Sequence, residues 1–243
     1  MKAFEQELAS RAVGARNFPA FGEKGEDAFR SAFEQALISQ GATCPDNGII
    51  VDLGCGTGAG TRRLADLFPK CGQIIGLDLS PYFIAVGEML LKCAPTSIAN
   101  GGKWVTTIQN DPRLSLKLGD ATATKLPDNY ADVVNVGLVV HELPLDVACS
   151  ICDEAFRILK PGGQLWLYVS KTHFHWSRLK TVTHLFVFFT KLTRKWISIV
   201  LDSLNKDRIR YFFPLSVRQN HGWMSTQITV TISGIIFIKC LPM

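Results

Sequence analysis

A doubly wound α/β fold built on a mostly parallel sheet is the architecture this sequence predicts, and three observations carry the prediction. Short β-branched runs without polar alternation recur along the first two thirds of the chain, amphipathic stretches separate them, and the first run ends in a cluster of alternate glycines. Strands that read as continuously apolar are buried on both faces, and intervening helices supply the two covers. In such a fold ligands bind at the carboxyl ends of the strands.

The elements follow in order. Ala28, Phe29, Ala32, Phe33, Ala36 and Leu37 recur at helical spacing and predict a helix over Gly25 to Ser39. Pro45, Asp46 and Asn47 make the next segment a turn. Ile49 to Leu53 is the first strand, and Thr61 to Phe68 the helix after the glycines. The alternation continues with strands at Gln73 to Leu77, Leu114 to Lys117, Ala131 to Val136 and Gln164 to Val169. Helices at Ser80 to Cys93 and Leu145 to Leu159 complete the pattern.

At 243 residues and 47% hydrophobic content the chain falls in the range of a single globular core. The formal charge of +5 is unevenly spread. Residues 1–170 hold 15 basic and 19 acidic side chains, net −4, whereas residues 171–243 hold 11 basic and 2 acidic, net +9. The predicted α/β part therefore offers no basic footprint for a polyanion, and no nucleic-acid partner is expected. Seven cysteines, odd in number and irregular in spacing, with no apolar leader at the start, predict an intracellular, reducing setting with the cytoplasm as the default. Cys149 and Cys152 have redox-motif spacing but lie on a helical pattern, where small core residues are the expected role. Lys191, Arg194 and Lys195 interrupt the best apolar run, so no segment reaches the roughly 18 residues a membrane span needs.

The chemistry concentrates in Val51-Asp52-Leu53-Gly54-Cys55-Gly56-Thr57-Gly58, between a strand and a helix. Glycines there allow left-handed backbone and let a ligand approach with no Cβ in the way. The following helix points its free amides and positive dipole end at the loop. Gly54-x-Gly56-x-x-Ala59 also fits a dinucleotide fingerprint, so a nicotinamide oxidoreductase is a rival reading. Asp78, about twenty residues on at a strand end, suits vicinal ribose hydroxyls under either reading. Asp52 separates them, because a carboxylate beside the first glycine suits an ammonium group and would repel a pyrophosphate. Its alternative role is to cap the loop's own amides.

The ordered series Val51 to Gly58, Ile75-Gly76-Leu77-Asp78-Leu79-Ser80, Gly119-Asp120-Ala121 and Leu159-Lys160-Pro161-Gly162-Gly163 resembles the motifs of class I S-adenosylmethionine-dependent methyltransferases. The resemblance covers residues 48–170 and implies S-adenosylmethionine as cofactor. It places Gly54, Gly56 and Gly58 along the methionine and ribose portion, and Asp52 on the amino group, directly or through water. It also puts Asp78 on the ribose hydroxyls, Leu79 against the adenine, Asp120 on the adenine amino group and the Ala121 amide on a ring nitrogen. The stretch Gly76 to Phe83 is similar to small-molecule enzymes of the ubiquinone and menaquinone biosynthesis type, which implies a small organic methyl acceptor. Methyl transfer from a sulfonium is an in-line displacement with an activated leaving group, so alignment matters more than a base.

Asn135 to Pro144 follows the fourth strand, where the acceptor would meet the cofactor. His141 is a candidate general base there, against the plainer role of a helix-start residue. His141-Glu142 lacks the second histidine of a zinc-protease helix, since Leu145 stands in that place after Pro144, and no metal site is expected. Asn135 lacks the Pro-Pro-aromatic companion of nucleic-acid amino methyltransferases. Phe18, Phe21 and Tyr82 are candidate pocket aromatics, with core packing as the plainer alternative.

Three regions result: an N-terminal helical lead-in over 1–47, a cofactor-binding domain over 48–170 and an atypical basic tail over 171–243. The resemblance implies a helix and two further strands after the fifth. Val182 to Asn205 fits the helix, and Ile228 to Ile232 with Ile235 to Lys239 a hairpin. Composition nevertheless changes abruptly at Lys171, which predicts an incomplete or atypical sheet edge. It also favours, as the alternative function, a non-catalytic binding module or an aberrant product whose tail is not a native terminus. No motif specifies an oligomeric state.

Overall fold

The computed structural model describes residues 25–92, 111–140, 143–168, 208–219, 222–231 and 235–241. Eight strands form one sheet: β1 (Ile49–Leu53), β2 (Gln73–Asp78), β3 (Leu114–Leu118), β4 (Ala131–Gly137), β5 (Leu159–Tyr168), β6 (Arg208–Gln219), β7 (Gly222–Thr231) and β8 (Ile235–Leu241). Four helices accompany them among the described residues: α1 (Gly25–Ser39), α2 (Ala59–Leu67), α3 (Pro81–Lys92) and α4 (Leu145–Ile158).

The strand order is β3-β2-β1-β4-β5-β8-β7-β6. β1 to β5 are parallel, and the chain runs outward from β1 first toward β3 and then toward β5. The reversal lies between β1 and β4, and the crevice at such a switch point is where doubly wound sheets receive ligands.

Period-two alternation along β1 divides the core. Val51 and Leu53 join Ile75, Leu77, Val134 and Val136 beneath Ile151, Ala155 and Phe156 of α4. Ile50 joins Ile74, Val133 and Trp166 on the opposite face, against Leu37 of α1 and Leu64 and Ala65 of α2. Both faces are thus apolar, which is why the strands read as unbroken β-branched runs. Trp166 is fully buried, stacks on Phe68 with ring centroids 5.2 Å apart, and donates its indole N–H to Gln164 Oε1 at 3.0 Å. The Gln164 amide in turn holds the turn after α1, accepting from the Thr43 N–H at 3.1 Å and donating to Thr43 Oγ1 at 3.1 Å.

Leu116 of β3 sits in a slot made by three glycines. A Cβ on Gly58, Gly76 or Gly87 would lie 2.8, 2.6 or 2.4 Å from its methyl carbons. Arg113, just before β3, donates to the Ala65, Phe68, Pro69 and Cys71 carbonyls and pairs with Asp111 at 2.6 Å. A cation at the carboxyl end of α2 meets both its orphan carbonyls and its dipole.

Strands β6 to β8 come from the basic tail. β8 lies antiparallel on β5 (Trp166↔Phe237), and β7 and β6 follow antiparallel in turn. The hairpin read around Ser233 and Gly234 is the β7–β8 pair, with Ile228 opposite Ile238. β6 is an additional strand, so the edge carries three antiparallel strands where the resemblance implied two. The helix expected over Val182 to Asn205 lies outside the described residues. β5 also begins earlier than Gln164, because Leu159 already pairs with Ala131 before a register shift.

Cys152 is buried in the core, and burial pushes its thiol up to about 12, which fits the structural role expected for it and not a redox one.

The loop after β3 is tied to α4 by a charged cluster. Glu154 accepts from the Thr124 N–H at 2.7 Å and from two Arg157 nitrogens at 2.7 Å each, and Arg157 reaches Asp128 at 2.5 Å. These bonds, the Arg157 guanidinium first, hold the Glu154 carboxyl down from 4.5 to about 2. A depressed carboxylate stabilises the fold fully above its unfolded pKa, and that contribution is lost as pH falls toward the folded value. The thermal midpoint is therefore expected to decline between about pH 4.5 and 2. E154Q should flatten that decline while costing about 2 kcal/mol at neutral pH. A variant that melts like the wild type at pH 7 would contradict this.

Candidate functional site

The glycine loop lies over the carboxyl ends of β1 and β2 and is pinned there by its own amides. Gly54 N–H and Cys55 N–H donate to the Leu77 carbonyl at 2.8 and 3.0 Å, and Gly56 N–H donates to Asp78 Oδ2 at 2.8 Å. The last glycine, Gly58, is the residue before α2 and makes no side-chain cap. The first-turn amides of α2 thus stand at the loop, at the positive end of the dipole.

The glycines have different reasons to be there. Gly56 has φ +56 with nothing within 4 Å of where a Cβ would stand, so its open side faces space a ligand can enter. Gly54 has φ +72 and a Cβ there would lie 2.3 Å from Val139 Cγ2. Its smallness lets the segment after β4 close down on the loop. Leu138, in that segment, is held at φ +62. A non-glycine residue kept in the left-handed region costs of order 1 kcal/mol and clusters at functional sites.

Asp78 is half-buried, and its two oxygens accept from Gly56 N–H and, at 2.8 Å, from Ser80 N–H. Each oxygen keeps lone-pair capacity for an outside donor. Beyond it Leu79 is 70% exposed, an apolar side chain in solvent at the strand end. Gly119 N–H donates to the Asp78 carbonyl at 3.0 Å, which brings the Gly119-Asp120-Ala121 segment alongside. Asp120 is exposed, and its Oδ1 accepts from the Thr122 hydroxyl at 2.7 Å and N–H at 2.8 Å. Those two bonds, the hydroxyl first, hold its carboxyl below the usual range. Ala121 packs on the core beneath.

Asp52 is only 3% exposed. Its Oδ2 accepts from Thr61 Oγ1 and its Oδ1 from Asn135 Nδ2, both at 2.7 Å. It is a buried carboxylate behind the loop, with neutral donors on both oxygens. Burial, then the Asp52 and Asp78 charges, push the neighbouring Cys55 thiol up, so it stays protonated and is no nucleophile. Arg62, also buried, donates to the Thr57 carbonyl at 3.0 Å and holds the loop's far side.

Seven of the residues singled out from sequence for the cofactor, Asp52, Gly54, Gly56, Gly58, Asp78, Leu79 and Asp120, thus meet at the carboxyl ends of β1 to β3, with Ala121 beside them. His141, Phe18 and Phe21 lie outside the described residues, and Tyr82 is exposed at the start of α3. Sequence reasoning passed over Thr61, Leu138 and Val139, and weighed Asn135 only against a nucleic-acid motif. Asn135 and Asp52 carried a usable signal, being polar residues inside otherwise apolar strands, where burial requires a partner.

Residues 51–167 match the family model described as a methyltransferase domain. Over this segment the chain carries a methyltransferase domain. The methyltransferase domain is 35% identical over 119 residues to demethylmenaquinone methyltransferase of Lactiplantibacillus plantarum, covering 49% of this chain and 44% of that one. It is also 35% identical over 132 residues to a methyltransferase of Emericella nidulans, AN0656, named as uncharacterized, covering 51% and 41%. The matches span less than half the length of these curated relatives. Among solved structures, PH0226 of Pyrococcus horikoshii superposes with TM-score 0.52 at 18% identity, over 94% of this chain and 98% of that one. A proposed S-adenosylmethionine-dependent methyltransferase of Methanococcus maripaludis gives 0.53 at 20% identity, over 99% and 91%. These two superpositions show the shared fold of the methyltransferase domain. No described helix is long and apolar enough to cross a membrane.

Proposed function

We propose that this chain transfers a methyl group from S-adenosylmethionine to a small organic acceptor. The observation that carries the reading is the open side of Gly56, whose N–H is bonded to the Asp78 carboxylate, on a loop that follows the buried Asp52 inside a methyltransferase domain. The residues fit the cofactor's parts. Asp78 accepts from the ribose hydroxyls and exposed Leu79 covers one face of the adenine. Asp120 accepts from the adenine amino group, with the Ala121 amide on a ring nitrogen. Gly56 lets the ribose and methionine portion approach the backbone, and Asp52 supplies the negative charge for the amino group. Gly54 and Gly58 serve by packing, under Val139 and against Leu116.

When bound, S-adenosylmethionine supplies a methyl group already activated by its sulfonium. The chain's own task is then to hold donor and acceptor in line and to exclude water, which can contribute roughly 7 to 11 kcal/mol. His141 is the candidate base where the acceptor must lose a proton. The relatives named demethylmenaquinone methyltransferase support an aromatic, quinone-like acceptor, which is the class to assay first.

A second reading, a cofactor-binding module without turnover, is favoured by one observation: composition changes abruptly at Lys171. Calorimetric titration of the full chain with S-adenosylhomocysteine tests the first part common to both. Saturable one-to-one binding is expected, and nicotinamide dinucleotide should give no heat. Binding of the nicotinamide cofactor in preference would sink the assignment. Methylation of a demethylated quinone by the same sample would then decide between enzyme and module.

A further inference from the structure

Asn135 carries an observation the cofactor reading leaves unused. It stands on β4 directly opposite Asp52 of β1 and is 5% exposed. Its Nδ2 donates to Asp52 Oδ1 at 2.7 Å, while its Oδ1 has no hydrogen-bond partner among the described residues. The orientation of the amide is not free. A carboxylate only accepts, so the nitrogen must face Asp52 and the carbonyl oxygen must face away. An orphaned buried acceptor keeps its full desolvation penalty unless something donates to it. The position lies at the switch point between β1 and β4, one strand from the glycine loop.

We propose that Asn135 completes the ammonium site of the methyl donor: its Oδ1 accepts an N–H from the amino group, while its Nδ2 holds Asp52 beside the same group. The proposal rests on the cofactor reading above. It assigns a direct contact to a residue outside the motif series, and it explains why Asp52 can act from a buried position. Thr61 holds one carboxylate oxygen and Asn135 the other, so the charge stays fixed behind the loop, and the Asn135 carbonyl oxygen is left for a donor. A carbonyl beside a carboxylate is an environment chemically suited to a primary ammonium, which offers several N–H donors and one positive charge.

The test compares two ligands that share the adenosine part, S-adenosylhomocysteine and 5′-methylthioadenosine, the second of which lacks the amino acid end. In N135L, which keeps size and removes polarity, affinity for S-adenosylhomocysteine should fall about tenfold or more, and affinity for 5′-methylthioadenosine should stay within a factor of about two. N135D is a second, isosteric variant. It sets a second carboxyl against Asp52, so S-adenosylhomocysteine affinity should vary with pH more steeply than in the wild type, again without effect on 5′-methylthioadenosine. Equal losses for both ligands in both variants would assign Asn135 a purely structural role and overturn the proposal. Unchanged S-adenosylhomocysteine affinity in N135L, beside a selective loss in D52N, would overturn it while leaving the cofactor reading intact. A wild-type chain that binds neither ligand would overturn both.

Discussion

D78A is expected to weaken S-adenosylhomocysteine binding about 100-fold or more in calorimetric titration. Two charge-assisted hydrogen bonds from ribose hydroxyls are lost with the carboxylate, each contributing about 1.5–3 kcal/mol. The side chain is anchored before any ligand arrives, because Gly56 N–H and Ser80 N–H already fix its two oxygens. Little ordering cost therefore offsets the gain on binding. The variant also releases the Gly56 amide, which loosens the loop that must receive the ligand. D78N separates these effects: it keeps the shape and one acceptor but replaces the other with a donor, and should fall between wild type and D78A. A D78A protein that melts cooperatively and binds within a few-fold of wild type would remove Asp78 from the ribose site.

W166A should be the most damaging single change to the fold, at about 3–5 kcal/mol in urea denaturation. Trp166 is fully buried in β5, stacks on Phe68 at the end of α2, and reaches Gln164 through its indole N–H. Truncation leaves a cavity between the central sheet and two helices, and frees the glutamine that holds the Thr43 turn. Since domains of this size have about 5–15 kcal/mol of total stability, the variant should sit near its unfolding threshold. The midpoint should drop with an unchanged slope against urea, as surface exposed on unfolding is conserved. W166F, which keeps the stack and removes the indole N–H, should recover most of the loss. A W166A midpoint close to wild type would mean the interior repacks around the missing ring.

Much of this architecture was legible because burial on both faces leaves a one-dimensional trace. Ile49 to Leu53 and Ala131 to Val136 could be placed within a residue, since β-branched runs bounded by glycine, aspartate or proline have few other readings. The glycine loop and Asp78 were legible for a related reason: alternate glycines after a strand and an acid at the next strand end form a local pattern. Contacts across the sheet left no such trace. Nothing local ties Asp52 to Asn135, which are 83 positions apart, or Gly54 to Val139, whose meeting depends on β1 and β4 becoming neighbours. The tail shows the opposite limit. Its β7–β8 hairpin was visible from alternating Ile, Thr and Val residues around a glycine. The attachment of β8 to β5 was not, because antiparallel addition to an existing edge is encoded by the edge as much as by the strand added.

The slot around Leu116 ties three otherwise separate positions to one side chain. Gly58 opens α2, Gly76 is inside β2 and Gly87 is inside α3, and a Cβ on any of them would crowd a Leu116 methyl. Enlarging any one of them leaves no room for leucine at 116, and a smaller residue at 116 leaves all three glycines facing a void. Shortening residue 116 would not by itself admit a side chain on any wall: a Cβ at Gly76 would still meet Cys55 Sγ at 2.8 Å, one at Gly87 would meet the Thr57 carbonyl oxygen at 2.8 Å, and Gly58 is held at φ +78. The donor loop inherits that restriction, because its last glycine is one of the walls.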